Sequence, residues 1–143
     1  MQAEIYIHAA PAAVYAKFAN IVNWSTWYPG VVSARWVQGE PWQDNARFVT
    51  TVRNVLGMHA QTEAVVRMSS PGRLLVYENS MTGLQSVASV SFEEEVGGCK
   101  LSIRKRYYGP LAFLMTLLGG RQRGLLETGL ANLKMQIEGQ PRR

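Results

Sequence analysis

The sequence contains few of the residues from which disulfides, metal sites and catalytic centres are usually built. Its 143 residues include one cysteine, Cys99, two histidines, His8 and His59, and one aspartate, Asp44. A single cysteine excludes an internal disulfide and a cysteine-rich metal cluster. The histidines and acidic residues show no metal-binding spacing, and no glycine-rich loop opens a helix as a phosphate site would require. We therefore expect no metal site, no cofactor and no catalytic constellation.

Long hydrophobic runs are also missing. No segment reaches the ~18 consecutive apolar residues that a membrane-spanning helix needs. The N-terminus lacks the basic start and apolar stretch of a secretory signal, so we expect none. The composition, 47% hydrophobic and 17% charged, is typical of a globular protein. The sequence thus predicts a single domain over residues 1–143, located in the cytoplasm.

Negative charge is in the minority, and the net charge is +5. The outward positions of the predicted strands nevertheless carry both signs, which is typical of a solvated sheet face. They include Arg35, Arg53, Arg67, Arg104 and Arg106 together with Glu63, Glu78 and Glu93. The Arg121/Arg123 and Arg142/Arg143 pairs lack the interleaved aromatic residues that stack on bases. We expect no nucleic-acid partner and at most transient contact with an anionic membrane, and the oligomeric state stays open.

The chain is rich in segments where apolar and polar residues alternate. Alternation of this kind is typical of strands with one buried face. The predicted strands are Glu4–His8, Val31–Val37, Ala46–Val55, Met58–Ser69, Arg73–Met81, Leu84–Glu94 and Cys99–Tyr108. Tight-turn residues separate the later ones and imply antiparallel neighbours: Gly57, Pro71–Gly72, Thr82–Gly83 and Gly97–Gly98. Strict alternation places Met68 on the inner face, and it places Val32, Ala34 and Trp36 together on one face of their strand.

Helical spacing appears in three places. Pro11 can open a helix over Ala12–Ala19, because the first turn needs no donor from it, and a second short helix is predicted over Val22–Trp27. After Gly109–Pro110, apolar residues recur every three or four positions and predict one long helix. They are Leu111, Leu114, Met115, Leu118, Leu125, Gly129, Leu133 and Ile137. The predicted fold class is α+β, an antiparallel sheet closed by a C-terminal helix.

The order of these elements, together with several short motifs, resembles a known superfamily. The motifs are Ile7-His8-Ala9-Ala10-Pro11 with Val14-Tyr15, Trp24 with Trp27-Tyr28-Pro29, Ser70-Pro71-Gly72-Arg73-Leu74, Phe92-Glu93-Glu94 and Leu130-Ala131-Asn132-Leu133-Lys134. Over essentially the whole chain they resemble the START / polyketide cyclase–dehydrase (SRPBCC) superfamily. The resemblance implies a helix-grip fold, in which a curved seven-stranded sheet wraps around a long C-terminal helix. Asn20 and Tyr28 stand where the superfamily often has an acidic residue and an asparagine, and we interpret both positions as structural.

The inward side chains of the predicted sheet are unusually small. They include Ala60, Thr62, Ala64, Ser86 and Ala88. Native interiors are close-packed, so the missing volume must be filled by something else. Either the C-terminal helix presses close through Gly129 and the Gly119–Gly120 pair, or a ligand occupies the space. The glycine pair is also a candidate bend that gates access to such a space.

Polar side chains converge at one end of the predicted sheet, where the turns at 54–58 and 79–84 meet the junction at 108–111. A largely apolar surface with a few convergent polar groups is the usual design of a small-molecule site. The predicted ligand-binding residues are Asn54, Met58, Tyr77, Asn79, Met81, Ser86, Lys105, Tyr107, Leu114, Met115 and Leu118.

Lys105 is the most informative of these residues. An inward-facing ammonium group is unfavourable unless it meets an anion or water, so a ligand carboxylate or phosphate is a natural partner. Alternatively, its stem lines the mouth while its head reaches solvent. Tyr77 and Tyr107 either orient a ligand through their hydroxyls or pack as ordinary core residues. Trp24 is interpreted as an anchor between the short helices and the sheet.

Three functions remain compatible with this pattern. The first is the binding, with or without transport, of a hydrophobic or amphipathic small molecule such as a lipid, between sheet and helix. The second is a polyketide cyclase or dehydratase that positions a reactive substrate, with Lys105, Tyr77 or Tyr107 as proton donors. The third is a macromolecular interaction protein with a filled core. Members of the superfamily bind apolar molecules, cyclise polyketides or assist other proteins, so the fold alone does not choose.

Overall fold

The computed structural model describes residues 1–53, 57–81 and 83–139, and for residues 115–119 it describes the backbone alone. The strands of the described residues are β1 Gln2–Ile7, β2 Val31–Gln38, β3 Arg47–Arg53, β4 His59–Ser70, β5 Leu74–Met81, β6 Leu84–Glu95 and β7 Gly98–Tyr108. The helices are α1 Pro11–Ala19, a 3₁₀ helix Ile21–Thr26 and α2 Leu114–Glu138. Each predicted element is present, with ends that differ by a few residues.

The strands form one seven-stranded sheet in the order β1-β7-β6-β5-β4-β3-β2. Every neighbouring pair is antiparallel, as the tight turns predict. β1 pairs with β7, so that Ile7 lies opposite Cys99, and the chain then crosses through the two short helices to β2 at the other edge. The predicted α+β class and the curved meander with a C-terminal helix are confirmed.

The two short helices anchor an aromatic cluster on the inner face of the sheet. Pro11 occupies the first turn of α1, where its missing N–H leaves no bond unmade. About two turns later, Phe18 packs against Trp24 and Trp27, and its ring centroid lies 5.7 and 5.5 Å from theirs. Trp24 Nε1 donates a hydrogen bond to the Phe18 carbonyl at 2.7 Å. Trp24 also contacts the sheet, because its ring centroid lies 5.5 Å from that of Phe48 on β3.

The C-terminal half of α2 packs closely on the rest of the molecule. Its buried leucines are Leu126, Leu130 and Leu133, of which the sequence pattern identified only the last. A Cβ on Gly129 would lie 3.3 Å from Pro29 Cδ and 3.5 Å from Tyr28 Cα, so the glycine allows the helix to approach this segment. Asn132 Nδ2 adds a hydrogen bond to the Trp27 carbonyl at 3.0 Å.

Two residues contradict the strict alternation assumed for the strands. In β4 the register shifts after Val66, which lies opposite Tyr77, so that Met68 lies opposite the next residue, Val76. The bulge turns Met68 outward, and its side chain is 52% exposed. A register shift near the start of β2 likewise leaves Val32 exposed. The prediction that Met68 faces inward was therefore wrong, and Val32 is exposed although alternation groups it with the buried Ala34.

Candidate functional site

A cavity of about 340 Å³ lies between the inner face of the sheet, the segment after the 3₁₀ helix, and α2. Its volume falls at the lower end of the ~300–1,000 Å³ that is usual for small-molecule sites. The lining residues are Trp24, Tyr28, Pro29, Gly30, Val31, Thr50, Val52, Arg53, Thr62, Tyr77, Asn79, Met81, Leu84, Gln85, Ser86, Lys105, Tyr107, Gln122 and Leu125.

Small side chains on the central strands create the space. One cross-strand row runs from Ala64 through Asn79 and Ser86 to Tyr107, and the next from Val66 through Tyr77 and Ala88 to Lys105. Of the small residues in these rows, Ser86 lines the cavity, whereas Ala64 and Ala88 are buried in the core. Thr50 and Thr62, which lie opposite one another on β3 and β4, also line it. The hollow thus follows from the undersized inward residues, and α2 does not fill it.

The cavity opens at the end of the sheet where β5 turns into β6, which we call the open end. The exposed residues Arg53 and Met81 line it there. At this end the Leu111 N–H donates a hydrogen bond to the Gly83 carbonyl at 2.8 Å. This bond ties the start of the α2 segment to the β5–β6 turn. The predicted meeting of this turn with the strand–helix junction is therefore present.

The eleven predicted ligand-binding residues fall into three groups. Tyr77, Asn79, Met81, Ser86, Lys105 and Tyr107 line the cavity. Met58, which is 57% exposed, and the half-buried Leu114 are not among its lining residues. Asn54 and the side chains of Met115 and Leu118 lie outside the described residues.

The Lys105 side chain reaches across the cavity to Tyr28. Its Nζ donates a hydrogen bond to the Tyr28 hydroxyl at 2.9 Å and lies 5.4 Å from the centre of that ring. Burial alone lowers the pKa of Lys105, but the oxygens of Tyr28, Tyr77 and Tyr107 raise it by more. The pKa of the amine therefore lies above its ordinary value of 10.5. At neutral pH the cavity holds an ammonium group.

Two further tyrosines supply neutral hydroxyls. Burial raises the pKa of Tyr77 to about 12, and the side chain is only 3% exposed. Burial also raises the pKa of Tyr107 above its usual range. Both groups are therefore protonated at pH 7 and can donate as well as accept a hydrogen bond. Neither is suited to act as a base.

The predicted ligand-binding set left out thirteen of the nineteen lining residues, and two of these bear most directly on the chemistry of the site. Tyr28 was interpreted as purely structural, yet it lines the cavity and accepts the hydrogen bond from Lys105. Arg53 was placed on the outer face, yet it lines the cavity from the last position of β3. No local pattern could reveal the Tyr28–Lys105 pair, because its partners are 77 residues apart.

Other reactive groups lie away from the cavity. Cys99 is buried, and burial raises the pKa of its thiol, which makes the thiolate less accessible. Within the described ranges, no group of three or more His, Cys, Asp and Glu side chains is arranged to hold a metal ion. None of the helices in the described part of the chain is long and apolar enough to span a membrane.

Solved structures with the same fold include both uncharacterised and biosynthetic proteins. Protein CV1439 from Chromobacterium violaceum is 13% identical, with 96% of each chain covered and a TM-score of 0.78. The di-domain ARO/CYC StfQ from the steffimycin biosynthetic pathway is 16% identical, with a TM-score of 0.79 over 97% of this chain and 50% of that one. The di-domain ARO/CYC BexL is 19% identical, with a TM-score of 0.75 over 99% of this chain. This chain thus spans half the length of each di-domain protein.

At these identities the structural likeness shows the fold alone. Among curated proteins, no sequence is similar enough to this chain to count as a relative. The sequence profile of polyketide cyclase / dehydrase and lipid transport proteins, however, matches residues 1–138. That match spans every helix and strand of the fold, from β1 to the end of α2. The chain belongs to the polyketide cyclase / dehydrase and lipid transport family.

Proposed function

We propose that the protein binds a hydrophobic or amphipathic small molecule in the cavity between the sheet and α2. The observation that carries this proposal is the unfilled volume of about 340 Å³. Native interiors rarely leave such space without a reason. Apolar groups from Trp24, Val52 and Leu125 form much of the wall, while Lys105 and its tyrosines offer polar contacts. Such a surface suits a ligand with a large apolar body.

The test uses N-phenyl-1-naphthylamine, an uncharged probe whose fluorescence rises in apolar surroundings. We expect the wild-type protein to bind it saturably. Ser86→Leu should weaken binding at least tenfold, because Ser86 is buried and lines the cavity and the larger side chain would occupy it. Ser89→Leu is the matched control, because Ser89 lies on the same strand with the opposite parity.

Thermal unfolding of both variants checks that the fold is kept. The proposal is wrong if the wild-type protein does not bind the probe, or if a folded Ser86→Leu variant binds it as well as the wild type. If the Ser89→Leu control loses as much affinity for the probe as Ser86→Leu does, the cavity is not the binding site.

A second candidate function is cyclisation or dehydration of a polyketide-type substrate in the same cavity. The observation that favours it is the gathering of an ammonium group and two neutral phenols, which can donate protons to a bound poly-β-ketone. A double variant, Lys105→Met with Tyr107→Phe, separates the two functions. If the protein only binds its ligand, this variant should lose part of its affinity. If it is an enzyme, the variant should lose turnover of a poly-β-ketone thioester, which is measured as the absorbance of the cyclised product.

A further inference from the structure

We propose that the natural ligand is an anion: an apolar body that carries one oxyanion group, seated at Lys105 Nζ and the Tyr28 hydroxyl. The shared chemistry is a carboxylate, sulfonate or phosphate-type group. This inference rests on the proposed function and deepens it, because it assigns a charge to the ligand and a place to that charge.

The charge of the cavity wall is one-sided. Among the described lining residues two are cationic, Lys105 and Arg53, and none is acidic. Five of the ten acidic residues instead lie in the β2–β3 connection or in the last three positions of β6, at the end of the sheet away from the open end. They are Glu40, Asp44, Glu93, Glu94 and Glu95. A cleft lined by one sign of charge concentrates ligands of the other sign.

Lys105 is held in the cavity without a counter-ion. Its Nζ has three N–H donors, and its one observed partner among the described residues is the Tyr28 hydroxyl. Across the described ranges, no carboxylate lies within 4.0 Å of this nitrogen. A partly buried ammonium group that lacks a counter-ion is unfavourable. A ligand oxyanion would accept the remaining donors and supply the missing charge.

The direction of the side chain argues against the alternative in which its head reaches solvent. Nζ donates its hydrogen bond to Tyr28, which itself lines the cavity. In the sheet, Lys105 lies opposite the buried Ala88, and the neighbouring pair Ser86 and Tyr107 lines the cavity. The ammonium group is therefore positioned to meet a ligand from within the cavity. A charge-assisted hydrogen bond there is stronger than one between neutral groups.

The experiment compares two probes that share one apolar body. 8-Anilinonaphthalene-1-sulfonate carries a sulfonate, and N-phenyl-1-naphthylamine is the same skeleton without it. The measured quantity is the ratio of their dissociation constants, obtained by fluorescence titration at fixed ionic strength. In Lys105→Met the preference for the sulfonate should fall at least tenfold relative to the wild type, because the counter-charge is removed while the length of the stem is kept.

Arg106→Met is the matched control. Arg106 neighbours Lys105 on β7 and is exposed, so its replacement changes the net charge equally without touching the cavity. The ratio should stay within about twofold of the wild type. If Lys105→Met does not fold, Tyr28→Phe serves instead, with an expected loss of about threefold in the same ratio.

The outcomes separate the two proposals. A ratio that is unchanged in Lys105→Met, or that falls as much in Arg106→Met, overturns the assignment of an anionic ligand. The proposed function then still stands if the wild-type protein binds the neutral probe. If the wild-type protein binds neither probe, both proposals fail.

Discussion

Gly129 and Gly124 lie on the same helix but meet opposite surroundings, which makes their alanine variants a sharp test of how α2 is held. A Cβ on Gly129 would lie 3.3 Å from Pro29 Cδ, 3.5 Å from Tyr28 Cα and 3.6 Å from Trp27 Cε3. A Cβ on Gly124 would meet no described atom within 4 Å. A methyl group at position 129 would press on backbone as well as side-chain atoms, whereas one at position 124 would meet no described atom within 4 Å. The steric cost of an alanine substitution therefore differs between the two positions.

The magnitudes follow from two opposing effects. Alanine is favoured over glycine in a helix interior by about 0.8–1.0 kcal/mol, so Gly124→Ala should stabilise the protein by close to that amount. At Gly129 the same gain is offset by overpacking, which costs about 1–3 kcal/mol. Gly129→Ala should therefore be neutral to destabilising by about 2 kcal/mol. The difference between the two variants is the quantity that matters.

The assay is denaturant unfolding followed by tryptophan fluorescence, with free energies from linear extrapolation. Gly129→Ala should also weaken anionic-probe binding, because the new methyl group presses on the backbone of Tyr28, the partner of Lys105. The reasoning is refuted if Gly129→Ala stabilises the protein as much as Gly124→Ala does. Close packing of α2 on this segment would then be wrong.

Three further predictions concern other parts of the molecule. Burial raises the pKa of Tyr77 in the folded protein to about 12 from an ordinary value of 10.0, so the folded state favours the protonated phenol. The resulting stabilisation is fully present below pH ~10 and is lost between pH ~10 and ~12, and the loss is ~2–3 kcal/mol at most. Unfolding free energies at pH 8 and 11.5 should fall less in Tyr77→Phe than in the exposed control Tyr108→Phe, and equal losses would contradict this. Met68→Lys should change the free energy of unfolding by less than about 0.5 kcal/mol, because the side chain is exposed. Val66, on the other side of the bulge, is fully buried, so Val66→Ala should lower the free energy of unfolding by about 1–3 kcal/mol in the same assay. A large loss in Met68→Lys would contradict the bulge. Gly120→Ala adds a Cβ that meets no described atom within 4 Å, so it should stiffen α2 without a steric cost. Release of N-phenyl-1-naphthylamine, followed by stopped-flow dilution, should then be slower than from the wild type. An unchanged release rate would refute the gating role of this glycine.

Much of the fold could be predicted because its signals are local. Turn glycines at 57, 72, 83 and 97 mark the ends of alternating segments, and consecutive hairpins leave little choice of pairing. The long helix was visible from its apolar spacing. Its buried face was placed less well: Leu125 belongs to the cavity wall, whereas Leu126 and Leu130 belong to the core.

The candidate site was predicted only where strand parity decides it. Parity places Tyr77, Asn79, Ser86, Lys105 and Tyr107 on the inner face, and all of them line the cavity. Parity also failed at Met68, because a bulge adds one residue without changing the composition of the strand. Residues that reach the cavity from helices and loops do not follow the two-residue period of a strand, so strand parity cannot predict them.

Tyr28 shows the limit most clearly. It follows Trp27 at the end of a short helix, and its neighbours in sequence suggest only packing. Its role depends on α2 pressing against residues 27–29 and on the register that places Lys105 opposite Ala88. Both depend on contacts between residues far apart in the sequence, and together they bring the two side chains into hydrogen-bonding distance.

The most direct test of a ligand-holding hollow beneath α2 is an NMR measurement of proton–proton contacts between bound N-phenyl-1-naphthylamine and the methyl groups of the protein. Val52, Leu84 and Leu125 line the cavity from three different elements. The predicted result is contact from one bound probe to all three residues. Contacts confined to the outer face of the sheet, or none to these methyl groups while the probe is bound, would contradict the account.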